Sequence, residues 1–333
     1  MLKVIESKLQ MESICKKARQ EGGRIIFVPT MGNLHSGHLS LLEKAREIAE
    51  AEPHQKFTII VSIFINPAQF GKNEDFNKYP RTFKDDVNLL HNQNITNYIY
   101  YPSVNDIYSE GYAGRLTFDI PLITKDRLCA KSRPHFFNGV MQVLFRFFMQ
   151  IKPNIVIMGE KDYQQYLITK AMAEELFGYI NVVSCSTERA ESGLALSSRN
   201  MYLSEEEKTR ASVIYKCLTF SQNLIKNTEG IILKSEIELL WQYLEQINLQ
   251  CHKNVEQIQL FCKSFNDNKS NIKYMFYEVI QPLVCKILKI NDFENEYFEM
   301  YNQNTLSHQG LTRSNAKFFI ATRYKGVRLI DNL

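Results

Sequence analysis

Thr30-Met31-Gly32-Asn33-Leu34-His35-Ser36-Gly37-His38-Leu39-Ser40-Leu41 follows an apolar run at 24–29 and leads into a stretch with Leu39, Leu42, Ala45, Ile48 and Ala49 at helical spacing. A strand that turns through glycine into a helix start points free backbone N–H groups, and the positive end of the helix dipole, at one place. His35 and His38 are three residues apart, on one face of the first turn, where both rings reach the same anion. The spacing thus predicts a strand, a phosphate-holding turn and a helix. Composition alone yields about 0.006 His-x-Gly-His matches in such a chain, but the motif gains weight only from its context. A metal-binding pair or two surface histidines is the competing reading, and no carboxylate or thiol stands at a ligand-like offset nearby.

Working outward, the first half alternates. Short runs at 24–28, 57–65, 97–101, 154–158 and 181–186 are rich in Val, Ile and aromatics, as strands buried on both faces should be. Helical patterns fall between them at 38–50, 82–92, 138–150 and 162–177. This βαβ alternation predicts an α/β fold, a doubly wound parallel sheet of Rossmann-like type, with its ligand beyond the carboxyl ends of the strands. From residue 188 the texture changes. Ser204 followed by Glu205, Glu206 and Glu207 marks a helix start. A polar helix is expected over 233–249, and two strands at 317–323 and 327–330 should turn at Lys325-Gly326. Residues 285–316 lack periodicity and read as a long surface excursion. The expected domains are 1–187, holding the ligand, and a smaller α+β domain at 188–333.

The 333 residues suffice for two domains, and 44% hydrophobic with 23% charged residues is ordinary for a globular protein. A net charge of +4 with no basic block argues against nucleic-acid and membrane-surface partners. Seven scattered cysteines with no Cys-x-x-Cys favour reduced thiols over a disulfide frame. The start, Met-Leu-Lys-Val-Ile-Glu-Ser-Lys, has no apolar signal core, and no run approaches a membrane span. A cytoplasmic location is the natural expectation.

Three further segments carry chemistry. Asn66 and Gln69 end an apolar strand beside Pro67, where amides suit a small acid with hydroxyls, or simply satisfy local backbone. In Gly159-Glu160-Lys161-Asp162-Tyr-Gln-Gln165, Gly159 admits close backbone approach. Lys161 is placed to meet phosphate, Asp162 to accept from ribose hydroxyls, and Gln165 to enter the pocket one turn later. Ser197-Ser198-Arg199 offers two hydroxyls and a guanidinium to a polyphosphate, and reads equally as a Ser-rich loop. Asp85 and Asp86, with Asp75 upstream, are candidates for Mg²⁺, or are solvated carboxylates favoured by a helix dipole.

In order, these segments resemble the pantothenate synthetase (pantoate–β-alanine ligase) family, within the wider His-x-Gly-His nucleotidyltransferase superfamily. The matching stretches are Val28-Pro-Thr-Met-Gly-Asn-Leu-His-Ser-Gly-His38, Val61-Ser-Ile-Phe-Ile-Asn-Pro-Ala-Gln-Phe-Gly71, Tyr79-Pro-Arg-Thr82, Gly159-Glu-Lys-Asp-Tyr-Gln-Gln165, Gly193-Leu-Ala-Leu-Ser-Ser-Arg-Asn200 and Arg328-Leu-Ile-Asp-Asn332. The resemblance implies that pantoate attacks the α-phosphorus of Mg·ATP to give pantoyl adenylate and pyrophosphate, and that β-alanine then releases AMP and pantothenate. It assigns His35, His38 and Lys161 to catalysis, with His38 donating a proton to departing pyrophosphate. It puts Met31, Gly32, Gly37, Gly159, Glu160, Asp162, Glu188, Leu196, Ser197, Ser198 and Arg199 around ATP. Gln69, Gln165, Met31 and Asn66 fall to pantoate and β-alanine. It also implies a homodimer whose second domain closes over the nucleotide.

The chain departs from the family in three ways. Where the family reads Arg-Pro-Gly-His-Phe-Arg-Gly-Val, this chain has Arg133-Pro-His-Phe-Phe-Asn-Gly-Val140. Either Phe136 and Asn138 replace the usual His and Arg in register, or paired single-residue changes leave His135 as the family's histidine. Glu188 replaces a small apolar residue beside adenine, and a carboxylate there should turn outward. The C-terminal half is longer than usual. Two alternatives therefore stand beside an active ligase: a catalytically impaired nucleotide-binding homologue, and an adenylate-forming ligase for another acid or amine.

Overall fold

The computed structural model describes residues 2–72, 74–109, 116–119, 125–226 and 272–333. The chain forms two compact units, Met1–Glu188 and Arg189–Leu333.

The first unit is built on six parallel strands, β1 (Lys3–Ile5), β2 (Arg24–Thr30), β3 (Phe57–Ile63), β4 (Tyr98–Tyr100), β5 (Ile155–Gly159) and β6 (Asn181–Cys185), in the order β1-β4-β3-β2-β5-β6. Ile25, Ile26, Phe27 and Val28 of β2 are almost fully buried, as are Ile60 and Val61 of β3 and Val156 and Ile157 of β5. Each such side chain contributes about 1.5–3 kcal/mol on burial, which is why the central strands read as unbroken apolar runs. Helices α1 (Lys8–Gln20), α2 (Ser36–Ala51), α3 (Phe83–Gln93), α4 (Val104–Ile107), α5 (Leu128–Ser132), α6 (Phe136–Ile151) and α7 (Tyr163–Leu176) complete the unit. From β2 the chain winds to β3 and β4 on one side and to β5 and β6 on the other. The switch point of the sheet therefore lies between the carboxyl ends of β2 and β5, where open α/β sheets hold ligands.

Two elements escaped the sequence pattern. The edge strand β1 has three residues, too few for a period. Helix α1 buries only Met11 and Cys15, so its apolar stripe is narrow, although Ser7 caps it by accepting from the Gln10 amide.

In the second unit, Ser204 starts α8 (Glu205–Ala211) with a capping box, its hydroxyl accepting from the Glu207 amide and the Glu207 carboxylate from the Ser204 amide. Helix α9 (Val213–Lys226) follows, and a further helix spans Gln281–Ile290. Strands β7 (Phe293–Asn302), β8 (Ala316–Tyr324) and β9 (Val327–Asn332) pair antiparallel in that order. β8 and β9 turn at Lys325 and Gly326, both at positive φ, as the sequence suggests. The surface excursion expected at 285–316 is corrected: it holds the end of a helix and all of β7. Phe298, Met300 and Asn302 alternate inward, but a bulge between Asn295 and Tyr297 breaks the two-residue period that would have announced the strand. The helix expected at 233–249 lies outside the described residues.

The Arg328-Leu-Ile-Asp-Asn332 stretch has a structural purpose. Arg189 donates to both oxygens of the buried Asp331 carboxylate at 2.6 and 2.9 Å, and to the carbonyls of Asn332 and Gly193. The guanidinium also lies 4.1 Å from the ring centroid of Tyr215. The carboxylate is thereby fully paired, and β9 is fixed to the first residue of the unit.

Among the described residues, Cys15, Cys129, Cys185, Cys217 and Cys285 are free thiols, and no helix is long and apolar enough to cross a membrane.

Candidate active site

Thr30 ends β2 with its hydroxyl donating to the Ser62 carbonyl at 2.6 Å and accepting from the Gly32 amide, which ties the turn to β3. Gly32 and Asn33, at φ +79° and +50°, then reverse the chain into α2. His35 is the N-cap of that helix. Its Nδ1 accepts from the Gly37 amide at 3.1 Å, and His38 Nδ1 accepts from the His35 amide at 3.3 Å. The helix thus starts with a reciprocal capping box built from two histidines, whose rings lie 4.2 Å apart.

This changes the donor set that the sequence suggests. The amides of His35 and Gly37 are taken up by the rings and are not free for an anion. Because both Nδ1 atoms accept, each neutral ring carries its proton on Nε2. The outward donors of the helix start are therefore imidazole N–H groups.

Burial, reinforced by the Lys161 ammonium, pushes His35 down to about 4. Burial, then His35 and Lys161, pushes His38 down to about 3. Both rings should hence stay neutral in the folded chain well below pH 6, which ¹⁵N-detected titration will read. An unfolded histidine gains its proton near pH 6.5, so between about 6.5 and 4 the unfolded chain binds protons that the folded one refuses. Stability should fall as pH drops through that window. A His35→Ala, His38→Ala double variant should lose less stability between pH 7 and pH 5 in urea melts. Equal losses would contradict the assignment.

Lys161, whose field is felt at both rings, comes from the end of β5. A short 3₁₀ turn, Glu160–Asp162, follows Gly159, and Lys161 Nζ is 3.8 Å from Asp162 Oδ2. A Cβ on Gly159 would meet only Leu41, at 3.9 Å, so internal packing does not require glycine there. Glu160 is engaged by β6, accepting from Ser184 Oγ at 2.8 Å. His35, His38 and Lys161 thus gather at the switch point.

Asn66, Gln69 and Met31 form a second group. The Asn66 amide donates to Gln69 Oε1 and to the Gly139 carbonyl, both at 3.0 Å, while its own oxygen accepts from the Tyr108 hydroxyl at 2.7 Å. Gln69 Nε2 lies 2.9 Å from Met31 Sδ. Asn66 is therefore held by its neighbours and sets Gln69. Gln165 is half-buried in the first turn of α7, and its neighbour Gln164 is tied to Arg127 and Ala130. Tyr108 gave no sign in the sequence, because its partner is 42 residues away.

In the altered loop, Arg133 forms a two-point ion pair with Glu74 at 2.5 and 2.6 Å and lies over the Phe136 ring at 3.8 Å. His135 stands at the N-cap position of α6 without a side-chain capping bond, and Asn138 accepts from the Phe118 amide and the Gln142 side chain. A Cβ on Gly71 would come within 2.9 Å of His135 Nε2, so this ring borders the segment that carries Gln69.

Asp85 and Asp86 are not brought together as a metal pair. Asp85 is exposed. Asp86 is buried, and accepts from the Leu34 amide at 2.8 Å, the Asn33 amide at 3.0 Å and the Thr82 hydroxyl at 3.2 Å. A carboxylate so engaged does not fit a Mg²⁺ ligand, and among the described residues no cluster of three His, Cys, Asp or Glu side chains is placed to hold a metal. Spacing showed two acids on a first turn but not which way each faced.

Glu188, at the end of the first unit, is exposed, as a carboxylate in its position should be. In the second unit Ser197 caps a 3₁₀ turn, Ser198–Tyr202, by accepting from the Arg199 amide, and Leu196, Ser197, Ser198 and Arg199 are all half-buried.

The family model described as pantoate-beta-alanine ligase matches residues 3–333. A pantothenate synthetase of Caldicellulosiruptor saccharolyticus is 38% identical over 261 residues, covering 75% of this chain and 89% of that protein. The crystal structure of pantothenate synthetase from Thermus thermophilus superposes with a TM-score of 0.71 at 29% identity, over 99% of this chain and 98% of the other. A Francisella tularensis pantoate-beta-alanine ligase, solved as a complex with beta-gamma ATP and beta-alanine, gives a TM-score of 0.69 at 27% identity, covering 100% of this chain and 97% of that one. With its parallel sheet, its two-histidine turn and a match along nearly its whole length, this chain belongs to the pantoate–β-alanine ligase family.

Proposed function

We propose that the protein condenses pantoate with β-alanine to pantothenate, using ATP and passing through pantoyl adenylate. The observation that carries the site assignment is the meeting of His35, His38 and Lys161 where the sheet switches direction. Two imidazole N–H donors and an ammonium suit a polyphosphate, and held in place beforehand they stabilise charge as it gathers on departing pyrophosphate. Protonation at Nδ1 would break the cap that holds each ring. His38 therefore serves best as a neutral Nε2–H donor to pyrophosphate, rather than as the full acid that the resemblance implies. Gln69, positioned by Asn66 and flanked by Met31, is assigned to the pantoate carboxylate and hydroxyls, with Gln165 as its partner. Gly159 leaves room for a ribose beside Asp162. The roles of Ser197, Ser198 and Arg199 toward the polyphosphate rest on their side-chain chemistry and the sequence resemblance, a homodimer on the resemblance, and a cytoplasmic location on the seven scattered cysteines with no Cys-x-x-Cys. Asp85 and Asp86 offer Mg²⁺ no site, and no step is assigned to them.

The test is to incubate purified protein with Mg·ATP and pantoate, with and without β-alanine, following pyrophosphate and AMP. Pyrophosphate in a single turnover without amine, then AMP and pantothenate once β-alanine is added, is the expected result. ATP binding without pyrophosphate would identify an impaired homologue. Turnover only with another acid or amine would place the difference in substrate choice, and the loop of Arg133, His135 and Asn138 would be the first place to look.

A further inference from the structure

We propose that Asp86 is a positioning residue for the ligation, its carboxylate fixing the Gly32–Leu34 backbone that presents His35 and His38; this rests on the assignment of those rings to the polyphosphate. Asp86 projects from the first turn of α3 and is 3% exposed. One oxygen accepts from the Leu34 amide and the Thr82 hydroxyl, the other from the Asn33 amide. Successive amides converging on one anion form a nest, here with the anion supplied by the protein itself. The residues it holds need holding. Gly32 and Asn33 are both left-handed, a region that glycine adopts freely and asparagine at a small cost, and two such residues in succession make a sharp turn that directional bonds keep in place.

The turn borders an open pocket of about 660 Å³ whose lining includes Met31, Gly32, Asn33, Thr82 and Asp86, so packing does not enclose it on every side. The turn is already tied at Thr30, and the histidine caps begin at residue 35. Asp86 braces the stretch between, through amides on the two residues immediately before His35. A shift there is passed directly to the N-cap and to both rings.

The test uses Asp86→Asn in the full chain. An amide keeps one acceptor but turns N–H groups toward the Asn33 or Leu34 amide. At saturating ATP and pantoate, pyrophosphate release should fall roughly 10²-fold, as expected for a misplacement of about 1 Å. The Mg²⁺ concentration for half-maximal rate should stay unchanged. The His35 and His38 ring nitrogens should lose their single-tautomer signature and titrate nearer the free-imidazole range, which general loosening elsewhere would not produce. Thr82→Val, which removes one hydroxyl and leaves both amides paired, should cost no more than about tenfold, since one hydrogen bond to the carboxylate is lost while the two that hold the backbone remain. If Asp86→Asn does not fold, Asp86→Glu gives the same reading, because it keeps the charge but moves the oxygens one methylene away from the Asn33 and Leu34 amides. Unchanged histidine signals, or activity restored by excess Mg²⁺, would overturn the inference and return Asp86 to metal binding. Normal turnover by a His38→Ala variant would instead remove the reading beneath it, with the Asp86 bonds untouched.

Discussion

His38→Ala is expected to slow pantoate-dependent pyrophosphate release at least 10²-fold, measured in a single turnover without β-alanine. The substitution removes two things: the Nε2–H donor, and the Nδ1 acceptor that caps the His35 amide. Loss of the cap should lower stability by about 1 kcal/mol. His38→Gln separates the two effects. Glutamine at this position can accept from the N-cap amide, as in an ordinary capping box, but offers no ring donor. It should melt like the parent and remain slow. Near-normal turnover by His38→Ala would remove this ring from the mechanism, and recovery in His38→Gln would show that only the cap matters.

Gly139→Ala should have the largest effect on the fold and on the acid-binding side together. The first turn of α6 packs so closely on the Pro67–Gln69 turn that an alanine Cβ would stand 2.2 Å from the Ala68 carbonyl oxygen and 2.6 Å from the Gln69 nitrogen. Those are backbone atoms, so no side chain can turn aside. Relief requires the two elements to separate, which breaks the bond from Asn66 to the Gly139 carbonyl and moves Gln69. A loss of about 3 kcal/mol is expected, the upper end for overpacking. The KM for pantoate should rise at least tenfold while that for ATP changes less. Parent-like melting and pantoate KM would show that the contact yields more easily than its geometry indicates.

The central strands and the helices between them were legible because burial on both faces leaves a continuous apolar record, as in Ile25–Val28. The two-histidine turn was legible as a place but not as a mechanism. Spacing put His35 and His38 on one face, yet only coordinates reveal that each Nδ1 is occupied by backbone. The acids at 85 and 86 show the limit most plainly, since adjacent residues on a helix point in different directions and one of them is a brace. Strand β7 was hidden by its bulge, and Tyr108 and the Arg133–Glu74 pair by long sequence separation. These contacts join segments whose local sequences carry no mutual signal.

The bond between Arg189 and Asp331 also sets a timetable. The two residues are 142 positions apart, and the ribosome releases them in that order. At about 5–20 residues per second, the guanidinium emerges on the order of 10 s before its carboxylate exists. No nascent chain stalled short of residue 331 can make this bond, whereas the parallel sheet is complete in sequence by residue 185 and free to form earlier in synthesis.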